Sequence, residues 1–64
     1  MTLYSLVEKE LGRPLPRHAN VYHSKTVSHL SHLYGVSRGV LYVTLVSLWN
    51  KGLVEPVNGY WRVV

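Results

Sequence analysis

The sequence predicts an α+β fold in which three helices are followed by a C-terminal β-hairpin. Apolar residues recur at steps of three and four in three separate segments, which is the period of a helix with one buried face. Asn58-Gly59, the strongest tight-turn dipeptide, lies between two short runs of strand-forming residues. A chain of 64 residues suffices for one small core, so we expect residues 1–64 to form a single domain.

The first helix is predicted from Leu3 to Leu11. Thr2 has the chemistry of an N-cap, and Gly12 is the type of residue that ends a helix. The apolar residues of its predicted buried face are Leu3, Leu6, Val7 and Leu11. Two prolines exclude a helix from residues 13–20, which we expect to form an extended connector, and residues 21–23 are predicted as a very short strand.

Two further helices are predicted to follow each other almost without a break. Thr26 is the expected N-cap of the second helix and Gly35 its end, while Ser37 is the expected N-cap of the third. The third helix should finish at Lys51 and Gly52. The predicted buried faces are Val27, Leu30 and Tyr34 on the second helix, and Val40, Leu41, Leu45 and Leu48 on the third. Because one residue separates Gly35 from Ser37, the two helices must turn sharply.

Residues 53–64 are predicted to form the hairpin around the Asn58-Gly59 turn. Pro56 lacks an N–H group and therefore belongs on an edge strand. Tyr60 and Trp61 are adjacent, so their side chains should point to opposite faces, one packing on the helices and the other exposed.

The balance of charge favours a polyanionic partner. Seven Lys and Arg residues against three Glu residues give a formal net charge of +4. No acidic residue occurs between Leu11 and Val54, whereas that stretch holds five cations: Arg13, Arg17, Lys25, Arg38 and Lys51. Solubility alone explains this uneven distribution less well than a phosphate partner does, so we expect one continuous positive surface.

Other features of the composition restrict the chemistry. The sequence has no cysteine, which excludes disulfides and thiolate zinc sites and favours a reducing, cytoplasmic location. No signal-like N-terminus or membrane-spanning apolar run is present, so we expect no membrane contact. The chain also lacks aspartate, and its glutamates have no His or Ser neighbour suggesting an acid–base pair, so we do not expect an enzyme.

His29 and His32 stand three residues apart on the second predicted helix and have the spacing to share a metal ion. The spacing of the sequence indicates no third ligand, so we expect no metal or other cofactor. We expect these histidines to be solvated.

Residues 26–54 resemble the winged helix-turn-helix of small prokaryotic and viral transcription regulators. The segments that carry the resemblance are Thr26-Val27-Ser28-His29-Leu30-Ser31, Leu33-Tyr34-Gly35-Val36-Ser37-Arg38-Gly39, Leu41-Tyr42, Leu45, Leu48 and Asn50-Lys51-Gly52-Leu53-Val54. They follow in register without a gap, and the predicted hairpin stands where the wing is expected. For residues 1–25 the resemblance is architectural. It implies binding of double-stranded DNA, with the third helix in the major groove.

In such a fold, residues near the start of the third helix reach base edges. Here that position holds Ser37, Arg38, Gly39, Tyr42 and Val43. Arg38 is suited to pair with guanine or to clamp a phosphate, Gly39 permits close approach of the backbone, and the Tyr42 hydroxyl can reach a phosphate oxygen.

Flanking contacts are expected from two other places. Lys25 and Thr26 at the start of the second helix can hold a phosphate, although plain capping also explains Thr26. Asn58 at the tip of the wing and Arg62 in its returning strand can touch the DNA backbone or minor groove.

One departure from the family pattern leaves two functions open. The outer face of the third helix carries Val43, Val46, Ser47 and Trp49 where such regulators usually carry polar or basic residues, and Leu33 adds an apolar spot on the second helix. Valines can contact thymine methyl groups, but exposed apolar residues also mark protein interfaces. The alternatives to a regulator are therefore a protein-interaction winged helix or homodimer using Leu33, Val43, Val46 and Trp49, and a protein that coats DNA without sequence preference.

Overall fold

The computed structural model describes residues 2–14 and 26–64. It contains α1 (Leu3–Leu11), α2 (Val27–Tyr34) and α3 (Arg38–Asn50), followed by β1 (Val54–Val57) and β2 (Tyr60–Val63). The predicted α+β arrangement of three helices and a C-terminal hairpin is confirmed, and its layout is that of a winged helix-turn-helix. The short strand predicted at residues 21–23 lies outside the described residues. Within the described ranges, no helix has the length and apolar character needed to cross a membrane.

Side-chain caps set the helix starts, as predicted. The Oγ1 atom of Thr2 accepts a hydrogen bond from the Ser5 N–H at 3.2 Å, and the Oγ1 of Thr26 accepts from the His29 N–H at 3.2 Å. The Oγ of Ser37 likewise accepts from the Val40 N–H at 3.2 Å. Each cap satisfies a backbone donor that has no acceptor inside its helix, so these residues determine where the helices begin.

Gly35 forms the turn between α2 and α3. Its φ is 68°, in the left-handed region that side chains disfavour, and its N–H donates to carbonyl oxygens of the last turn of α2. The chain can therefore leave α2 and begin α3 within three residues.

The hairpin folds as a two-stranded antiparallel sheet around Asn58 and Gly59, whose φ values are 49° and 87°. Positive φ at both central residues is the geometry that matches the twist of a hairpin. Trp61 is 4% exposed and joins the core, whereas Tyr60 is exposed, which confirms the predicted alternation. Pro56 pairs opposite Trp61 and is exposed on its edge strand.

The hydrophobic core joins all three helices to the hairpin. Its buried residues are Leu3, Leu6, Val7, Leu30, Tyr34, Leu41, Leu45, Leu48, Val54 and Trp61. The Tyr34 hydroxyl donates to the Tyr4 carbonyl oxygen at 3.3 Å and thereby links α2 to α1. Burial raises the pKa of Tyr34, with a smaller contribution from the charge of Glu8, so the phenol keeps the proton that it donates.

Glu10 holds α1 against the C-terminal part of α3. Its carboxylate accepts hydrogen bonds from Lys51 Nζ at 2.7 Å and from Ser47 Oγ at 3.1 Å. These two bonds are the main reason that the pKa of Glu10 lies below its usual value.

Two expectations about buried faces are wrong. Val40, predicted on the core face of α3, is 48% exposed, and Thr44 is buried instead. Thr44 can occupy that position because its hydroxyl donates to the Val40 carbonyl oxygen at 2.9 Å and is satisfied within the helix. Leu33, predicted as an exposed spot, is partly buried and packs against the core. On α3 the apolar residues occur all round the helix, so their period alone does not identify the inner face.

Candidate nucleic-acid interface

The N-terminal end of α3 is open. Ser37, Arg38, Gly39, Val40 and Tyr42 are all exposed, and no described residue covers them. The start of α3 lies beside the start of α2, since Arg38 Nη1 donates to the Ser28 Oγ at 3.5 Å. The end of the helix that is predicted to contact bases is therefore accessible to a ligand.

Arg38 carries a positive charge that no acidic residue neutralises. The chain has three acidic residues, all of them described. Glu10 is bonded to Lys51 at 2.7 Å, Glu55 is bonded to Arg62 at 2.6 Å, and none of the three forms an ion pair with Arg38. Within the part of the chain that the structure describes, Arg38 Nη1 makes only a long hydrogen bond to the Ser28 Oγ, at 3.5 Å. This guanidinium keeps most of its donors available for an anion.

Its position also argues for a ligand. A cation at the first position of a helix faces the positive end of the helix dipole, which slightly destabilises the folded chain. Arg38 occupies that position without an acidic neighbour to offset the repulsion. A contribution to binding accounts for an arginine there better than a contribution to folding does.

Arg62 and Lys51 differ from Arg38 because their charges are already paired. Arg62 stands opposite Glu55 in the hairpin register, and its Nε donates to Glu55 Oε1 at 2.8 Å. Lys51 is bonded to Glu10 at the far end of α3. Of the cations expected to form a continuous positive surface, Lys51 is thus paired with an acidic residue. Contact of Arg62 with nucleic acid stays a prediction, and Arg17 and Lys25 lie outside the described residues.

Neither the backbone conformation nor the packing of the described residues requires a glycine at position 39. Gly39 has ordinary helical geometry, so its backbone conformation does not require a glycine. A Cβ atom built at this position meets only the Ser37 Oγ, at 4.0 Å, which is ordinary contact. Glycine destabilises a helix by about 0.5–1 kcal/mol relative to alanine. The missing side chain therefore permits close approach of something outside the chain.

The outer face of α3 is apolar at Val43 and Trp49, as the sequence predicted, whereas Ser47, also predicted there, is partly buried and donates to Glu10. Val43 is 70% exposed, Tyr42 and Trp49 are also exposed, and Val46 is partly buried. Between Arg38 and Lys51 no residue of α3 is charged. Any ligand lying along this face meets methyl and aromatic groups rather than cations.

The wing packs against the same helix through aromatic rings. The Trp61 ring lies edge to face with Trp49, with centroids 5.6 Å apart, and with Tyr42, with centroids 6.4 Å apart. Residues 42 and 49 are two turns apart on α3, so the buried Trp61 side chain lies between them and joins β2 to the helix. This arrangement places the hairpin beside the exposed face of α3. The turn at Asn58, the predicted wing contact, is exposed.

The start of α2 adds polar groups next to Arg38. Capping by Thr26 is confirmed, since its carbonyl and hydroxyl oxygens accept from Leu30 and His29. A phosphate contact by Thr26 stays a prediction. Ser28 also contacts Arg38, because α2 packs against α3. No local sequence signal marks this contact.

The histidines of α2 differ from each other. His32 is exposed, but His29 is partly buried, and its Nε2 atom has no hydrogen-bond partner among residues 2–14 and 26–64. The expectation that both are solvated is therefore wrong for His29. Among residues 2–14 and 26–64, no group of three or more His, Cys, Asp or Glu side chains is arranged to hold a metal ion.

In comparisons with known proteins, no family model matches the chain, and no curated protein or solved structure shows significant similarity to it. The assignment of the fold accordingly depends on the order and packing of its own elements.

Proposed function

We propose that this chain binds double-stranded DNA and acts as a small transcription regulator, with the N-terminal half of α3 in the major groove. The observation that carries the proposal is the exposed start of α3 with Arg38, whose charge no acidic residue neutralises. The major groove of B-form DNA is about 12 Å wide and admits an α-helix. The resemblance of residues 26–54 to small prokaryotic and viral regulators supports the same function.

Each exposed group at this end has a role in the proposed complex. Arg38 donates to guanine O6 and N7 or to a phosphate oxygen. Gly39 allows the helix backbone to approach the base edges, and the Tyr42 hydroxyl donates to a phosphate. The first turn of α2 presents backbone N–H groups and Thr26 to the next phosphate, with Lys25 supplying charge. Asn58 contacts the DNA backbone or minor groove from the tip of the wing.

Replacing Arg38 with glutamine tests the proposal. The wild-type chain should bind random-sequence duplex with an affinity whose logarithm falls linearly with the logarithm of salt concentration. Arg38→Gln should weaken binding by about 1–3 kcal/mol if the arginine reads a base, and should reduce the salt slope by about one if it contacts a phosphate. Fluorescence anisotropy with labelled duplex at several salt concentrations measures both quantities.

Lys9→Gln is the matched control because it removes the same charge elsewhere. Lys9 lies on α1 and lines a depression at the other end of α3, together with Lys51 and Leu53. Loss of the Lys9 charge should change the affinity for duplex only through the net charge of the chain. If the wild-type chain does not bind duplex at low salt, or if Arg38→Gln and Lys9→Gln bind with equal affinity, α3 does not insert into the major groove as proposed.

Gly39→Ala should change stability and binding in opposite directions. The added methyl group has room in the free protein, so the free energy of unfolding should rise by about 0.5–1 kcal/mol. The same methyl group stands between the helix and the base edges, so affinity for duplex should fall. Urea denaturation followed by circular dichroism gives the first quantity, and anisotropy gives the second. A variant that is more stable and binds with unchanged affinity contradicts close approach at this residue.

A second candidate function is docking of a partner protein, or of a second copy, on the outer face of α3. The 70% exposure of Val43, with Tyr42 and Trp49 beside it, favours this candidate. Apolar docking should respond little to salt, whereas binding through phosphates weakens steeply. The salt series described for Arg38 therefore separates the two functions.

A further inference from the structure

The outer side of α3 has few hydrogen-bonding groups. At 3.6 residues per turn, Gly39, Val43, Val46 and Asn50 follow one another along the centre of the outer face. Arg38 and Tyr42 border one side of this line, and Val40 borders the other. On the first side, the Tyr42 ring contacts Trp61 of the wing. The remaining polar residues are turned away, since Thr44 is buried and Ser47 donates to Glu10 on α1.

Between Arg38 and Asn50, the centre of this face therefore offers only aliphatic groups to whatever it meets. Hydrogen-bonded readout of adenine, guanine or cytosine needs donors or acceptors that Val43 and Val46 lack. Thymine is the one base that presents an apolar group, its C5-methyl, in the major groove. Three residues of helix rise about 4.5 Å and one base-pair step rises about 3.4 Å, so Val43 and Val46 can face neighbouring base pairs.

Charge selects DNA over a second copy as the occupant of this face. Arg38 stands at the start of α3, and α3 itself contains no acidic residue. A second copy brought against this face supplies no opposing carboxylate there, whereas a duplex supplies phosphates on both sides of the groove. The apolar centre and cationic start of the helix fit a methyl-bearing groove bordered by anions.

We propose that α3 selects its DNA by the C5-methyl groups of thymine, which pack against Val43 and Val46, with Arg38 contacting the base or phosphate at one end of that run. The proposal depends on DNA binding through α3. It assigns the specificity to the apolar residues rather than to hydrogen-bonding side chains.

The test changes the methyl group and leaves the base pairing intact. Anisotropy is measured with a duplex of roughly two helical turns (about 20 base pairs) made of alternating adenine and thymine, and with the same duplex carrying uracil in place of thymine. Loss of one buried methyl group should weaken binding about fourfold, and loss of two more than tenfold. A second pair of duplexes, alternating guanine and cytosine with and without 5-methylcytosine, adds the methyl group to the major groove, and the methylated member should bind more tightly.

Val43→Ala identifies the residue that meets the methyl group. Val43 is 70% exposed, so the substitution should leave the fold intact and reduce the preference for thymine over uracil. Val64→Ala is the matched control, because Val64 is 73% exposed but lies beyond β2 rather than on α3, and it should keep the full preference.

The outcomes separate this proposal from DNA binding itself. Equal affinity for the thymine and uracil duplexes, with no gain from 5-methylcytosine, overturns methyl recognition while DNA binding stands. Failure to bind any of the four duplexes at low salt overturns both. Sedimentation that shows a dimer which Val43→Ala dissociates overturns the assignment of this face to DNA.

Discussion

Replacing Trp61 with alanine should unfold the domain at room temperature. Trp61 is 4% exposed, closes the core from the hairpin side and lies between the rings of Tyr42 and Trp49. Removing a buried tryptophan side chain costs about 3–5 kcal/mol, and the core of a domain this small rarely supplies more than that. Far-UV circular dichroism during urea titration should show a cooperative transition for the wild-type chain and none for Trp61→Ala.

Tyr60→Ala provides the comparison within the same strand. Tyr60 precedes Trp61 but faces away from the helices and is exposed, so its loss should change the free energy of unfolding by about 1 kcal/mol or less. Equal stability of the two variants would show that the hairpin is not held to α3 through Trp61.

Replacing Leu41 with alanine should have the next largest effect. The Leu41 side chain is 0% exposed within the core shared by the helices and the hairpin, and Leu→Ala at such positions costs about 2–5 kcal/mol. The midpoint of urea denaturation should fall by the corresponding amount, or the variant should be unfolded without denaturant.

Val40→Ala tests the same helix one residue earlier. Val40 is 48% exposed, so the same truncation should change stability by only about 0.5 kcal/mol. A larger loss for Val40→Ala than for Leu41→Ala would mean that α3 is rotated about its axis relative to the described structure. It would also move Val43 and Val46 off the outer face and remove the basis for methyl recognition.

The ends of the helices and the hairpin could be predicted from the sequence because their determinants are local. Thr2, Thr26 and Ser37 each accept from a backbone N–H three residues later. Gly35 and Asn58-Gly59 supply left-handed backbone conformations at single points. Because these interactions span so few residues, they can be recognised from the sequence without knowledge of the tertiary structure.

The candidate site was predictable only in part. The position of Arg38 at the start of α3 follows from the Ser37 cap. Its lack of an acidic partner does not follow from that cap, because the contacts of Glu10 with Lys51 and of Glu55 with Arg62 form only in the folded chain. The close contact with Ser28 likewise depends on the angle between α2 and α3.

By itself, therefore, the sequence determined the element order, the caps, the turns and the excess of positive charge. The tertiary structure decided which side of α3 is buried, since apolar residues surround that helix and a satisfied threonine hydroxyl takes an inner position. The tertiary structure also decided which cations have an acidic partner. Lys51 is bonded to Glu10, which lies 41 positions earlier in the sequence. The physical reason is the range of the interactions: a cap or turn is completed within about four residues, whereas burial and ion pairing depend on surfaces that meet only after folding.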